Sequence, residues 1–328
     1  MAPAAGRPIR RGIVLGGGGV LGGTWAVGAL LALDEVFGFD ARAADVLVGT
    51  SAGSVLAAML GAGVSAEQLR QRYNDEAVAD GPLAGLEWDP DAAIGGNRPA
   101  MPKVLGPGSL RLIGNRLLHP SQVPATALVA ALMPEGTKTM AGVGRLIDSI
   151  TPIGGWSDHP ACWIVAMDYD SGRRVVFGRP GSMVAPLSSA VMASCSIPGW
   201  FAPVRIGGHT FIDGGALSAT SVDVVEHAGL DEVYVIAPMV SFATDHPRSA
   251  AARLERRWRE TVTRACLAEA AAVTRAGAVV RVIGPGPQDL EAIGANMMDS
   301  SKRRLVLETS VRTSVDAWRD VEAQPAEA

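Results

Sequence analysis

The chain has 328 residues, of which 48% are apolar and 19% charged, and a net charge of −4. This supports a packed core of one large domain or two small ones, and it gives no global basic signal for nucleic acid. Three cysteines, Cys162, Cys195 and Cys266, lie far apart, which excludes a CxxC or zinc spacing and suits a reducing compartment.

Residues 1–10 read as a flexible N-terminus. Arg7, Arg10 and Arg11 precede an uncharged run from position 12 to 33, the outline of a secretory or twin-arginine leader. Four consecutive glycines at 16–19 would break a membrane helix, so the run predicts a buried strand over 13–15, a glycine turn over 16–23 and a helix over 24–33. A strand over 46–48, a turn over 49–53 and a helix over 54–60 repeat the pattern. Strand, turn and helix twice over predict an α/β fold with a mainly parallel sheet. No other segment is long and apolar enough to span a bilayer.

Residues 80–160 carry Pro82, Pro90, Pro99, Pro102, Pro107, Pro120 and Pro134 and no single apolar period. A structureless loop of that length is improbable in a compact domain. The segment therefore predicts short helices over one end of the sheet, either a decorative insertion or a substrate lid. Strands follow over 163–167 and 174–177 around an Asp170-Ser171-Gly172 turn, then a hairpin over 204–206 and 210–212 across Gly207-Gly208. Further strands are expected over 233–236 and 279–283. A helix is expected over 251–273, with Leu254, Trp258, Val262 and Ala265 on its apolar face. Glu255–Arg259 and Glu260–Arg264 are favourable pairs four apart, expected on a solvated face. One domain over 11–321 and a short acidic, disordered tail over 322–328 complete the layout.

Three elements could carry chemistry. Gly49-Thr50-Ser51-Ala52-Gly53 has the form GxSxG, a sharp strand-to-helix turn that presents a hydroxyl at its apex. Alone it is a weak signal in a glycine-rich chain; the strand before it and the helix after it strengthen it. The run from Gly16 to Gly22 can turn several N–H groups into one small space, an anion-binding nest. It also fits GxGxxG through Gly17, Gly19 and Gly22, or a turn used only for close packing. Against a dinucleotide, Asp45 opens the next strand rather than closing it. Asp213-Gly214-Gly215 is a common turn sequence as well as a possible acid–base site. Histidine is scarce (His119, His159, His209, His227, His246). Only His246 could serve as a late triad member, and a surface loop explains it better. No spacing suggests a metal.

Taken in order, these elements resemble the patatin-like phospholipase family. Residues 16–22 look like its oxyanion loop, GTSAG at 49–53 like its nucleophile turn, and Asp213-Gly214-Gly215 like its catalytic Asp motif. The stretch Ala193-Ser194-Cys195-Ser196-Ile197-Pro198-Gly199 resembles the one that usually precedes that Asp. The resemblance covers about 11–240, and the segment from Val280 to Pro285 also looks like bacterial members. It implies a three-layer α/β/α fold with a helical lid insertion over 80–160. It further implies a Ser51–Asp213 dyad without histidine, oxyanion donors from Gly17, Gly18 and Gly19, and ester hydrolysis in lipids through an acyl-enzyme. No metal or cofactor is implied. The expected partner is a lipid or ester substrate, with transient contact to a membrane surface and no nucleic acid, in a cytoplasmic or peripheral setting. An acyltransferase on the same dyad, or a catalytically weak lipid-binding relative, are the alternatives. One position departs from the pattern: Leu21 stands where the loop usually carries Arg or Lys. An active enzyme with a looser oxyanion hole, favouring short neutral esters over anionic phospholipids, is the expected consequence.

Overall fold

A computed structural model describes residues 7–86, 106–118, 125–243, 245, 247 and 249–323. Among these, one sheet contains β1 Arg11–Leu15, β2 Val46–Thr50, β3 Cys162–Asp168, β4 Arg174–Phe177, β5 Val204–Ile206, β6 His209–Asp213, β7 Glu232–Ile236 and β8 Val279–Ile283. The helices are α1 Gly19–Phe37, α2 Ala52–Gly61, α3 Ala66–Tyr73, α4 Leu110–Leu118, α5 Ala125–Leu132, α6 Ala141–Ile150, α7 Leu187–Ser194, α8 Ala250–Arg275, α9 Pro287–Ile293 and α10 Arg303–Ala323.

Strands β8, β7, β1, β2 and β3 run parallel in that order. Their side chains alternate between two cores, as a sheet covered on both faces requires. Ile13, Leu15, Leu47, Tyr234 and Ile236 pack with α1, α2, α6, α7 and α10. Val14, Val46, Val48, Val233 and Val235 face the other way, with Val262, Cys266, Ala270 and Val273 of α8. The layers are helix, sheet, helix, as expected.

The register at β3 positions the site. β2 pairs with Cys162–Val165 of β3, β6 with Ala166–Asp168, and β4 with Ile164–Met167. β4 overlaps the partners of both others, and one edge of a strand can serve one neighbour per residue. β2 and β6 must therefore share the opposite edge. β2 arrives parallel to β3 and β6 antiparallel, so their C-terminal ends meet head to head, with Thr50 opposite Val165 and Asp213 opposite Ala166.

Several sequence expectations change. The glycine turn is shorter than 16–23, because α1 begins at Gly19. Glycines inside that helix serve close packing: a Cβ on Gly22 would lie 2.9 Å from Pro238 Cβ, and one on Gly28 would lie 2.4 Å from Ser310 Oγ of α10. α1 is long and apolar enough to cross a membrane. Here it lies against the sheet and α10, with Ser310 Oγ donating to the Trp25 carbonyl at 2.6 Å and Trp318 Nε1 to that of Ala29 at 2.9 Å.

The apolar face assigned to α8 is also corrected. Leu254 and Trp258 are 70% and 51% exposed, whereas Arg259 is 1% exposed. The inward stripe is Glu255, Arg259, Val262, Cys266, Glu269 and Val273, at the three-and-four spacing of one helix face. Polar partners on neighbouring loops replace apolar contacts in its first half. The described part of the 80–160 segment contains three short helices joined by turns and loops, and they are not equivalent. Helix α6 belongs to the main core through Val143, Leu146 and Ile147. Helices α4 and α5 form a separate small core with Met167, Tyr169 and Ile212 at the ends of β3 and β6. Helix α10 continues through Glu322 to Ala323, and the rest of the acidic tail lies outside the described residues, as do His119 and His246.

Candidate active site

Ser51 sits between β2 and α2 with φ 54° and ψ −125°, a conformation that costs a non-glycine residue free energy and that surrounding structure must impose. The two glycines of GTSAG make the turn possible. A Cβ on Gly49 would lie 2.4 Å from the Gly53 carbonyl oxygen, and one on Gly53 would lie 2.1 Å from that of Leu15. Neighbouring groups hold the turn. The Ser51 N–H donates to Ser194 Oγ at 2.9 Å, and Ser194 Oγ donates to the Val165 carbonyl at 2.6 Å. The Ser51 carbonyl accepts from Ser54 Oγ at 2.6 Å and from Cys195 Sγ at 3.2 Å. The α2 N-terminus directs its partial positive charge at this residue.

Asp213 ends β6 and is 4% exposed. Its N–H donates to the Ser196 carbonyl at 3.0 Å, and its Oδ1 accepts the Gly215 N–H at 2.7 Å. Burial raises its pKa from 3.8 to about 6, opposed by hydrogen bonding from the Ser51 side chain and the Gly215 N–H. The structure thus brings together the two residues singled out in the sequence, 162 positions apart. Ser194 and Cys195, which clamp the turn, had no assigned role; their only sequence signal was membership of the small-residue stretch at 193–199.

The glycine run lies beside them, with a Cβ on Gly17 falling 3.1 Å from Ser51 Cβ. Its donors are not equivalent. The Gly17 N–H donates to the Ala219 carbonyl at 2.8 Å, unlike those of its two neighbours in the expected set of three donors. Gly18 and Gly19, at the α1 N-terminus, have N–H groups without a backbone or side-chain acceptor among the described residues. This is the usual condition of a helix's first turn. Leu21 does not line the site. Its side chain is fully buried in the main core, and its N–H donates to the Met297 carbonyl at 2.9 Å.

A pocket opens at Ser51, walled by Val55, Met140, Val143, Ile197, Phe201 and Met298 among others. Among the described residues its lining carries no charged side chain and no histidine. His209 instead bonds Asp168 at 3.0 Å, and His159 the Ala44 carbonyl at 2.8 Å. Burial pushes the Cys195 thiol up to about 12, helped by the Asp213 charge; it is no thiolate nucleophile at neutral pH.

Fold and site together define an α/β protein with a strained serine turn beside a buried carboxylate. The patatin-like phospholipase family model matches residues 13–225, and the chain belongs to that family of lipid acyl hydrolases. Among solved structures it is similar to the crystal structure of VipD from Legionella pneumophila, at 14% identity and a TM-score of 0.44, over 96% of this chain and 67% of that one.

Proposed function

We propose that the chain hydrolyses carboxylic esters of lipids, with Ser51 as nucleophile and Asp213 as its base. The observation that carries this reading is the meeting of β2 and β6 on one edge of β3, which sets a strained serine beside a buried carboxylate of pKa about 6. As the carboxylate, Asp213 takes the Ser51 proton while Oγ attacks the ester carbonyl. The Gly18 and Gly19 N–H groups hold the oxyanion. Collapse breaks the ester bond, the leaving alcohol takes the proton from Asp213, and the acyl group stays on Ser51. Water then gives a proton to Asp213 and its oxygen to the acyl carbon; the acid leaves and Ser51 regains its proton. The apolar pocket wall supports an acyl chain as the bound group.

Transient contact with a membrane surface, from a cytoplasmic setting, is part of this proposal. It is supported by Leu110, Leu117 and Leu118, which are 73%, 78% and 75% exposed on α4, near Arg111 and Arg116. The test is a panel of esters with wild type and Ser51→Ala, alongside labelling by a fluorophosphonate. Wild-type turnover and labelling, both absent in Ser51→Ala, are expected. A weak lipid-binding relative would show neither, and turnover surviving in Ser51→Ala would overturn the dyad.

A further inference from the structure

The glycine loop of this chain has no cation of its own, yet a cation stands behind it. Gly18 and Gly22 rest on Pro238: a Cβ at either would lie 2.7 Å or 2.9 Å from Pro238 Cβ. Met297 forms the adjoining wall. Its carbonyl accepts the Leu21 N–H at 2.9 Å and would lie 3.0 Å from a Cβ on Gly19. Both wall residues meet the same side chain. Arg259 of α8 donates through Nη1 to the Pro238 carbonyl at 2.6 Å and reaches Met297 Sδ with Nη2 at 3.6 Å. Its Nε is held by Glu255, one turn earlier. Glu255 also binds Arg256, whose guanidinium is forked by Asp245 at 2.8 Å on both oxygens.

We infer that Arg259, through Pro238 and Met297, is the positioning residue that fixes the direction of the Gly18 and Gly19 N–H groups. This rests on the ester-hydrolase reading of the site. A guanidinium can bond Glu255 and the Pro238 carbonyl at once because its donors point along fixed, separate directions. The two wall residues come from separate segments, after β7 and after α9, and each sits within a turn. A single buried fork ties them to one rigid helix. The opposite flank is anchored by the same helix: Glu269 accepts from Thr220 Oγ1 at 2.8 Å and from the Val222 N–H at 2.9 Å. These follow directly after Ala219, whose carbonyl takes the Gly17 N–H.

A buried ion pair could instead be structural alone, and the two roles separate on replacement. Apolar residues of similar volume commonly preserve stability at such a pair. The test uses the full chain with Arg259→Met and Glu255→Met combined, and Arg259→Lys as a second variant that keeps the charge but not the fork. Folded double variant should lose about tenfold or more in kcat on an ester, with KM within about twofold. Hydrogen exchange in a peptide covering 16–22 should quicken while that of α2 does not. Arg259→Lys should show the same loss in smaller measure. A folded double variant with wild-type kcat or wild-type exchange overturns the inference, and so does Arg259→Lys with unchanged kcat if the double variant does not fold. Failure of both to fold overturns it too, as the mark of a structural pair. Wild type without Ser51-dependent turnover removes the hydrolase reading, while exchange still judges the brace.

Discussion

As the proposed base, Asp213 must be ionised to take a proton, in a setting that disfavours its charge. With its pKa near 6, kcat/KM should rise as pH climbs through about 6 and level off above. Asp213→Asn should abolish that limb and most turnover, and combining it with Ser51→Ala should cost little more than either alone, because the two act as a unit. His209→Ala should leave the profile in place, since that ring binds Asp168 at 3.0 Å. A pH limb that moves in His209→Ala would count against the dyad. Leu21 yields a different expectation from the one its sequence position suggested. Its side chain is fully buried in the main core, so Leu21→Arg places a guanidinium among apolar side chains. An unpaired buried charge costs about 3–5 kcal/mol, and the variant should melt well below wild type, or fail to fold, rather than gain phospholipid turnover. A stable variant with improved turnover on anionic lipid would restore the original view.

Among the elements, the serine turn is tightly constrained. Gly53 faces the Leu15 carbonyl so closely that a methyl group would sit 2.1 Å from its oxygen. Gly53→Ala must separate α2 from β1, and overpacking of this kind costs about 1–3 kcal/mol. Denaturant unfolding should show that loss, and turnover should fall further than the stability change accounts for, because the shift moves Ser51. Unchanged kinetics would mean that the turn tolerates more displacement than its geometry suggests. Helix α8 teaches the complementary lesson. Its apolar residues at 254, 258, 262 and 265 suggested one face, but Leu254 and Trp258 are exposed and Glu255 and Arg259 point inward. Periodicity weights hydrophobicity, so it misses a face satisfied by hydrogen bonds. The pair itself was visible at its four-residue spacing; that it was buried was not.

For the whole molecule, site and stability oppose each other. Asp213 binds its proton more tightly folded than unfolded, so its contribution to stability falls as pH rises from 3.8 to about 6, and the loss is complete above that range. The difference amounts to about 3 kcal/mol at most. Asp213→Asn should therefore melt higher than wild type at pH 7 to 8, with the gap narrowing below pH 5. Equal melting temperatures across that range would show that the carboxylate carries no such strain. By itself the sequence determined the strand–turn–helix units and the GTSAG turn, because steric limits and side-chain period act over a few neighbouring residues; the candidate pair Ser51 and Asp213 came from the resemblance of the ordered motifs to the patatin-like family. Tertiary structure alone decided that β2 and β6 abut on one edge of β3, that Ser194 clamps the turn, that Gly17 spends its N–H on Ala219, and that Leu21 belongs to the core. These depend on which distant segments share an edge or a face, and hydrogen bonds between residues far apart in the chain leave no local pattern to read.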